Sequence, residues 1–224
     1  MTIFLFLLYV SAGLFGPLLP GGMYYPAAAL LYAALLAVLC LRGRRAPAPF
    51  PKRRPGQLLW YLPLLVPATV NLWFGVALPT VGTGAPGRFF CLGLAGALEE
   101  LFFRGRLLPW LSRKASPGRA VALDALLFAL FHLLNALNLP AGQLLCQLLY
   151  TVALGALFAL LYERGGRLWP VALTHALLNA LDVFRRPAPF ENHLPLQCAL
   201  LLAFALLYCA IVLRRTAAKR PSRP

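Results

Sequence analysis

The chain has 224 residues, of which 61% are hydrophobic and only 12% are charged. Soluble domains carry roughly a quarter of their residues as Asp, Glu, Lys or Arg, so this balance excludes that class and indicates an integral membrane protein. The formal net charge of +15 does not indicate a nucleic-acid partner, because the basic residues follow the loops between apolar segments rather than one globular surface.

Eight apolar segments approach the length of about 17–25 residues that a membrane-spanning helix needs. We therefore predict an all-α polytopic membrane protein, a bundle of about eight transmembrane helices. The segments cover about residues 2–20, 22–41, 58–75, 89–104, 120–138, 142–162, 168–184 and 194–213. The fourth and seventh segments are short and carry polar groups, which suits helices that their neighbours shield from lipid.

The basic residues alternate with these segments. If both termini lie on one side, 18 of the 21 Lys and Arg residues fall on that side, and Arg88, Arg185 and Arg186 fall on the other. The positive-inside rule then predicts that both termini are cytoplasmic, in what we expect to be a bacterial cytoplasmic membrane. The proline-rich and basic region 42–57 is predicted to be a cytoplasmic loop, and 105–112 a short helix in the interface.

Three of the apolar segments contain ionisable or amide side chains. An unpaired ionisable group at the bilayer centre costs about 2.5–3.5 kcal/mol on insertion scales, so such groups are expected to face the bundle interior and find partners there. They are Glu99, Glu100 and Arg104 in the fourth segment, His132 in the fifth, and His175 and Asn179 in the seventh. Together they predict one interior cavity with polar groups from three helices.

The spacing of these residues suggests different tasks. Glu100 and Arg104 lie four residues apart on one helix face, where a buried ion pair can act as a structural clamp. Glu99 points about 100° away from Glu100 and is free for another task. His175 and Asn179 share a face of their helix by the same four-residue spacing.

These motifs resemble those of the CAAX-processing and bacteriocin-processing family of intramembrane proteases, also called CPBP or Abi. In chain order they are Glu99-Glu100-Leu101-Phe102-Phe103-Arg104, Phe128-x-x-x-His132 and His175-x-x-x-Asn179. Each motif alone is a weak signal, whereas three in order on membrane segments are specific. The resemblance covers residues 89–184, between an N-terminal part of three membrane helices, 1–88, and a C-terminal part with the last helix and a basic tail, 185–224.

The resemblance implies an intramembrane endopeptidase without a cofactor. Its partners would be a membrane-associated protein or peptide substrate and the lipid bilayer. The implied catalytic residues are Glu99, His132, His175 and Asn179, with Glu100 and Arg104 in supporting positions. In that scheme the first two activate a water molecule and the next two stabilise the oxyanion.

Other interpretations use the same residues. Glu99, His132 and His175 could bind zinc through one oxygen and two nitrogens, with water as the fourth ligand, although the His-Glu-x-x-His arrangement is absent. The polar groups could also form the network of a non-catalytic immunity or scaffold protein. A proton-coupled transporter is disfavoured, because the chain shows no paired halves. We interpret Asp124 and Asp182 as structural.

Overall fold

The computed structural model describes residues 2–15, 23–43, 55–79 and 84–217. Over these ranges the chain is helical and contains no strand, apart from an isolated bridge between Val76 and Arg185. The predicted all-α class is therefore confirmed for the described residues. Most of the predicted basic loop 42–57 and the basic tail after residue 217 lie outside them.

Nine α-helices follow one another along the described ranges. They are α1 (Thr2–Phe15), α2 (Tyr24–Gly43), α3 (Leu65–Ala68), α4 (Ala85–Phe102), α5 (Leu108–Ser112), α6 (Pro117–Phe131), α7 (Ala141–Gly165), α8 (Trp169–Ala180) and α9 (Pro187–Ala217). Tighter 3-10 segments cover Pro55–Leu64, Val70–Leu72, His132–Leu137 and Leu181–Phe184. A single π-helical turn, Phe103–Leu107, connects α4 to α5.

Four helical stretches among the described residues are long and apolar enough to cross a membrane. They are Tyr24–Leu41, Pro117–Leu137, Ala141–Gly165 and Asn192–Thr216, and they correspond to the second, fifth, sixth and eighth predicted segments. The predicted fourth and seventh segments form α4 and α8, of 18 and 12 residues. These findings support an integral membrane protein, while the number of eight spans stays a prediction.

The predicted third segment, 58–75, does not form one regular α-helix. It consists of the 3-10 segment Pro55–Leu64, the short α3 and a second 3-10 segment. Pro63 and Pro67 lie inside this stretch. Each proline lacks the N–H that a helix interior requires, which explains the interruption in physical terms.

Close contacts divide the chain into two compact units. The first unit contains α1, α2, α3, α4 and α8. In it α4 packs against both α2 and α8, and α1 packs against α2. The Asn71 side-chain amide donates to the Leu178 carbonyl at 2.7 Å, and the Ala77 N–H donates to the Phe184 carbonyl at 2.8 Å. These bonds attach the C-terminal end of α8 to the segment before α4.

The second unit contains α5, α6, α7 and α9 from residue 191 onward. Its α6 packs along α7 and buries one face, while the leucines on its other face are exposed. An apolar exposed face of this kind suits contact with lipid. The chain turns after α7 at Gly166, which adopts a φ of +67° and whose N–H donates to the Tyr162 carbonyl.

Candidate active site

Two adjacent carboxyl groups are buried at the C-terminal end of α4. Only 7% of Glu99 and none of Glu100 is exposed. Neither residue points into water, so both must find polar partners inside the first unit. These partners come from α8 and α1.

The imidazole of His175, on α8, lies between the two carboxyl groups. Its Nδ1 is 2.9 Å from Glu100 Oε1, a hydrogen-bond distance, and its Nε2 is 3.7 Å from Glu99 Oε2. A proton on Nδ1 is donated to Glu100, which fixes the plane of the ring and turns Nε2 toward Glu99. Of the predicted site residues, Glu99, Glu100 and His175 are therefore in mutual reach.

The two oxygens of Glu99 have different surroundings. Oε1 accepts a hydrogen bond from the Tyr9 hydroxyl of α1 at 2.5 Å. Oε2 is buried and has no hydrogen-bond partner among the described residues. Its distance of 3.7 Å from His175 Nε2 exceeds a direct hydrogen bond and lies within the range of an ion pair when the imidazole is protonated. We call Tyr9, Glu99, Glu100 and His175 the carboxylate cluster.

Gly96 lets α8 approach α4 closely enough to form this cluster. A Cβ atom at Gly96 would lie 2.8 Å from the His175 carbonyl oxygen and 3.0 Å from Asn179 Nδ2. Small residues at helix contacts in membranes permit this kind of approach. Asn179 thus faces the same glycine as His175, which agrees with the shared helix face that their spacing predicts.

Sequence reasoning missed both Tyr9 and Gly96. Tyr9 carries a hydroxyl in an apolar helix, and Gly96 stands three residues before Glu99. Either feature could have been noticed, but the sequence does not say that α1 reaches Glu99 or that α8 lies against Gly96.

His132 belongs to the second unit, where it begins the 3-10 segment after α6. Its Nδ1 is 2.9 Å from the Phe128 carbonyl oxygen, and its ring packs edge-on against the Phe128 ring at 4.8 Å. With a proton on Nδ1 donated to that carbonyl, Nε2 becomes the nitrogen that can accept a proton. The predicted cooperation of His132 with Glu99 stays a prediction.

Arg104, also in the second unit, is fully buried and has an acidic partner that the sequence analysis did not assign to it. Its Nε is 3.3 Å from Asp124 Oδ2, its Nη2 donates to the Gly155 carbonyl at 2.9 Å, and its guanidinium lies 4.2 Å from the centre of the Phe128 ring. Asp124 is also fully buried and was interpreted as structural. We call these four residues the arginine cluster. The predicted pairing of Arg104 with Glu100 stays a prediction.

Asp182, the other acid interpreted as structural, forms ion pairs within the first unit. Its carboxylate lies 2.6 Å from Arg88 Nη2, near the start of α4, and 3.0 Å from Arg185 Nε. Two arginines that the sequence assigned to one membrane face thus share a carboxylate.

A metal site requires several ligands close together. Among the described residues, no group of three or more His, Cys, Asp or Glu side chains is arranged to hold a metal ion. The zinc alternative, which combines Glu99 and His175 with His132, stays a hypothesis.

Comparison with known families identifies the part of the chain that carries these residues. Residues 83–181 match the family described as type II CAAX prenyl endopeptidase Rce1-like. This region belongs to the CPBP family. The matched region includes the three motifs on which the sequence resemblance was based, so that resemblance is confirmed. No curated protein and no solved structure matches the chain. The CPBP match indicates an intramembrane endopeptidase that associates with the lipid bilayer and acts on a protein or peptide.

Proposed function

We propose that this CPBP protein hydrolyses a peptide bond of a membrane-associated protein or peptide, with Glu99 as the base that activates water. The observation that carries this proposal is a buried carboxylate oxygen, Glu99 Oε2, which faces an imidazole nitrogen inside the region matched to an endopeptidase family. A buried acid with a specific partner is typical of catalytic sites, although structural networks can also contain one.

In the proposed reaction, Glu99 Oε2 accepts a proton from a water molecule while the water oxygen bonds to the scissile carbonyl carbon. His132 assists this step. Asn179, together with His175 when Nε2 carries a proton in addition to Nδ1, donates hydrogen bonds to the oxygen that becomes negatively charged. The carbon–nitrogen bond then breaks, and the proton held by Glu99 passes to the leaving nitrogen.

The supporting residues have separate parts in this proposal. Glu100 holds His175 through the 2.9 Å contact with Nδ1, so that the ring keeps Nε2 beside Glu99. Arg104 acts within the arginine cluster, where Asp124 balances its charge.

The name of the matched family suggests the first substrate to test. We propose a peptide with a prenylated cysteine near its C-terminus as one candidate, beside unprenylated membrane peptides. The purified protein in liposomes is incubated with a farnesylated peptide ending in a Cys-aliphatic-aliphatic-X sequence and with its unprenylated form. Mass spectrometry of the products identifies the bond that is cleaved.

Glu99→Gln is expected to reduce cleavage by at least about a thousandfold, because Gln has the same shape and cannot accept the proton. The matched control is Glu163→Gln, which changes a largely buried carboxylate of α7 that pairs with Arg164. The control is expected to retain activity. Cleavage by the Glu99→Gln protein would overturn the mechanism.

Two further measurements separate the alternatives. Metal analysis and activity after chelation distinguish a metal-free site from a zinc site, since removal of zinc abolishes a zinc-dependent reaction. If neither peptide is cleaved, the membrane proteome of cells with wild-type protein is compared with that of Glu99→Gln cells. An accumulating precursor in the variant identifies a substrate, and its absence favours the non-catalytic scaffold.

We also propose that both termini are cytoplasmic, which rests on the distribution of basic residues. Reporter fusions at each terminus of the full chain test this orientation. Activity at either terminus from a reporter that works only outside the cytoplasm would contradict this orientation.

A further inference from the structure

Tyr9 contacts the proposed base directly and comes from a helix outside the matched region. It lies on α1, at Thr2–Phe15, whereas the family match begins at residue 83. Its hydroxyl donates to Glu99 Oε1 at 2.5 Å, and only 7% of the residue is exposed. A phenol that is buried in an apolar bundle requires a polar partner, and Glu99 supplies it.

The ring of Tyr9 is fixed by aromatic neighbours of the same unit. Its centroid lies 5.1 Å from that of Tyr32, 6.2 Å from that of Phe102 and 6.3 Å from that of Phe6. Tilted aromatic packing at these distances restricts the side chain. The hydroxyl is therefore held in place before any substrate arrives.

This contact makes the two oxygens of the carboxylate unequal. Oε1 accepts the hydrogen bond from the Tyr9 hydroxyl. Oε2 has no hydrogen-bond partner among the described residues, and it faces His175 Nε2. Proton abstraction requires one defined oxygen in a defined direction, because efficiency falls steeply when the reacting groups are misplaced.

We propose that Tyr9 is a positioning residue for Glu99, which it holds so that Oε2 is the oxygen that takes the proton from water. This inference rests on the proposed function of Glu99. It extends the site to α1, so the catalytic machinery includes a residue outside residues 83–181.

The test compares two tyrosines of equal burial. Tyr9→Phe removes the hydroxyl and keeps the ring, and Tyr61→Phe does the same to a tyrosine that is also 7% exposed and donates to the Leu161 carbonyl. Tyr9→Phe is expected to lower kcat by about tenfold or more with KM unchanged, whereas Tyr61→Phe keeps both values. A loss in kcat for Tyr9→Phe no larger than that for Tyr61→Phe would overturn the proposal.

A second measurement needs no substrate. The thermal midpoint is recorded for wild type, Tyr9→Phe, Glu99→Met and the double variant, which together form a double-mutant cycle. Tyr9→Phe is expected to lower the midpoint only when Glu99 is present. An equal decrease in both backgrounds would show that Tyr9 acts on the fold without Glu99, and would overturn the inference.

The two measurements also separate failure of this inference from failure of the proposed function. If the wild-type protein cleaves nothing and causes no precursor to disappear, the catalytic proposal fails, and the positioning role fails with it. The thermal cycle then still decides whether the Tyr9–Glu99 contact exists. If the wild type cleaves a substrate and Tyr9→Phe behaves like Tyr61→Phe, only the inference about Tyr9 fails.

Discussion

The carboxylate cluster of the first unit and the arginine cluster of the second both bury ionisable groups in apolar helices, but they differ in the groups that face each other. In the arginine cluster one guanidinium, on Arg104, faces one carboxylate, on Asp124. In the carboxylate cluster two carboxyl groups share a single imidazole. A buried guanidinium–carboxylate pair suits a scaffold, whereas two adjacent carboxyl groups against one imidazole repel each other when both are ionised, an arrangement that is typical of sites where chemistry requires it.

The contacts around Arg104 and around Glu99 also differ. Arg104 also donates to the Gly155 carbonyl of α7 and lies over the Phe128 ring of α6, so contacts from two helices hold it. Glu99, by contrast, accepts a hydrogen bond from the Tyr9 hydroxyl through Oε1 and faces His175 Nε2 at 3.7 Å through Oε2. We infer that the first cluster reacts and the second keeps its helices together. Stability and activity measurements can therefore distinguish the two.

The largest expected loss of stability comes from Asp124→Ala. The substitution leaves the Arg104 guanidinium buried without its carboxylate, and breaking a buried ion pair on one side costs about 3–5 kcal/mol. Unfolding of the purified protein by SDS in mixed micelles measures this free energy. A loss below about 1 kcal/mol would contradict the scaffold role of the arginine cluster.

A double variant serves as the control for this prediction. Replacing Asp124 with Leu and Arg104 with Met removes both charges together. Apolar replacement of a complete buried pair is often neutral, so most of the stability is expected to return. Persistent loss in the double variant would mean that packing, rather than charge, dominates at this position.

A smaller loss is expected from Gly96→Ala, and it should affect activity as well as stability. The added Cβ would meet the His175 carbonyl oxygen at 2.8 Å, and overpacking of this kind costs about 1–3 kcal/mol. The displacement of α8 also moves His175 away from Glu99, so cleavage is expected to fall about tenfold or more.

Gly93→Ala is the matched control on the same helix. Its Cβ would meet Ala180 Cβ at 3.4 Å and the Ala176 carbonyl oxygen at 3.5 Å, which are ordinary contacts. Stability and cleavage are expected to stay near wild type. Equal effects of the two substitutions would contradict a specific requirement for glycine beside His175.

The sequence predicted which polar residues face the interior better than it predicted which residues contact one another. The cost of burying charge pointed to Glu99, Glu100 and His175, and the structure brings these three together. Pairing was harder to predict. Four-residue spacing favoured Glu100 as the partner of Arg104, which stays a prediction, and it gave no indication that Asp124 on another helix lies within ion-pair distance of Arg104.

The same limit explains the residues that sequence reasoning missed. Hydropathy located the long helices α2, α6, α7 and α9, because their apolar composition is a local property. The approach of α1 to Glu99 is not local, since it depends on the packing of α1 on α2 and of α2 on α4. The sequence therefore did not distinguish Tyr9 from the other residues of its apolar segment.

The smallest loss of stability is expected at the ion pair of Arg88 with Asp182. This pair is partly exposed, so it can be compared with the two buried clusters. Arg88 contacts Asp182 at 2.6 Å with 42% of its side chain exposed. Exposed pairs contribute about 0–1 kcal/mol and are weakened by salt. Arg88→Ala is therefore expected to lower the free energy of unfolding by less than about 1 kcal/mol, with a smaller loss at high salt and unchanged cleavage.

Asp182 keeps Arg185 at 3.0 Å when Arg88 is removed, so Asp182→Ala, which removes both contacts, is expected to cost more than Arg88→Ala. Measuring both variants by SDS unfolding at two salt concentrations separates charge from packing. A salt-independent loss above about 2 kcal/mol for Arg88→Ala would place this pair with the buried arginine cluster. That result would mean that an exposed ion pair in this protein can contribute as much stability as a buried one.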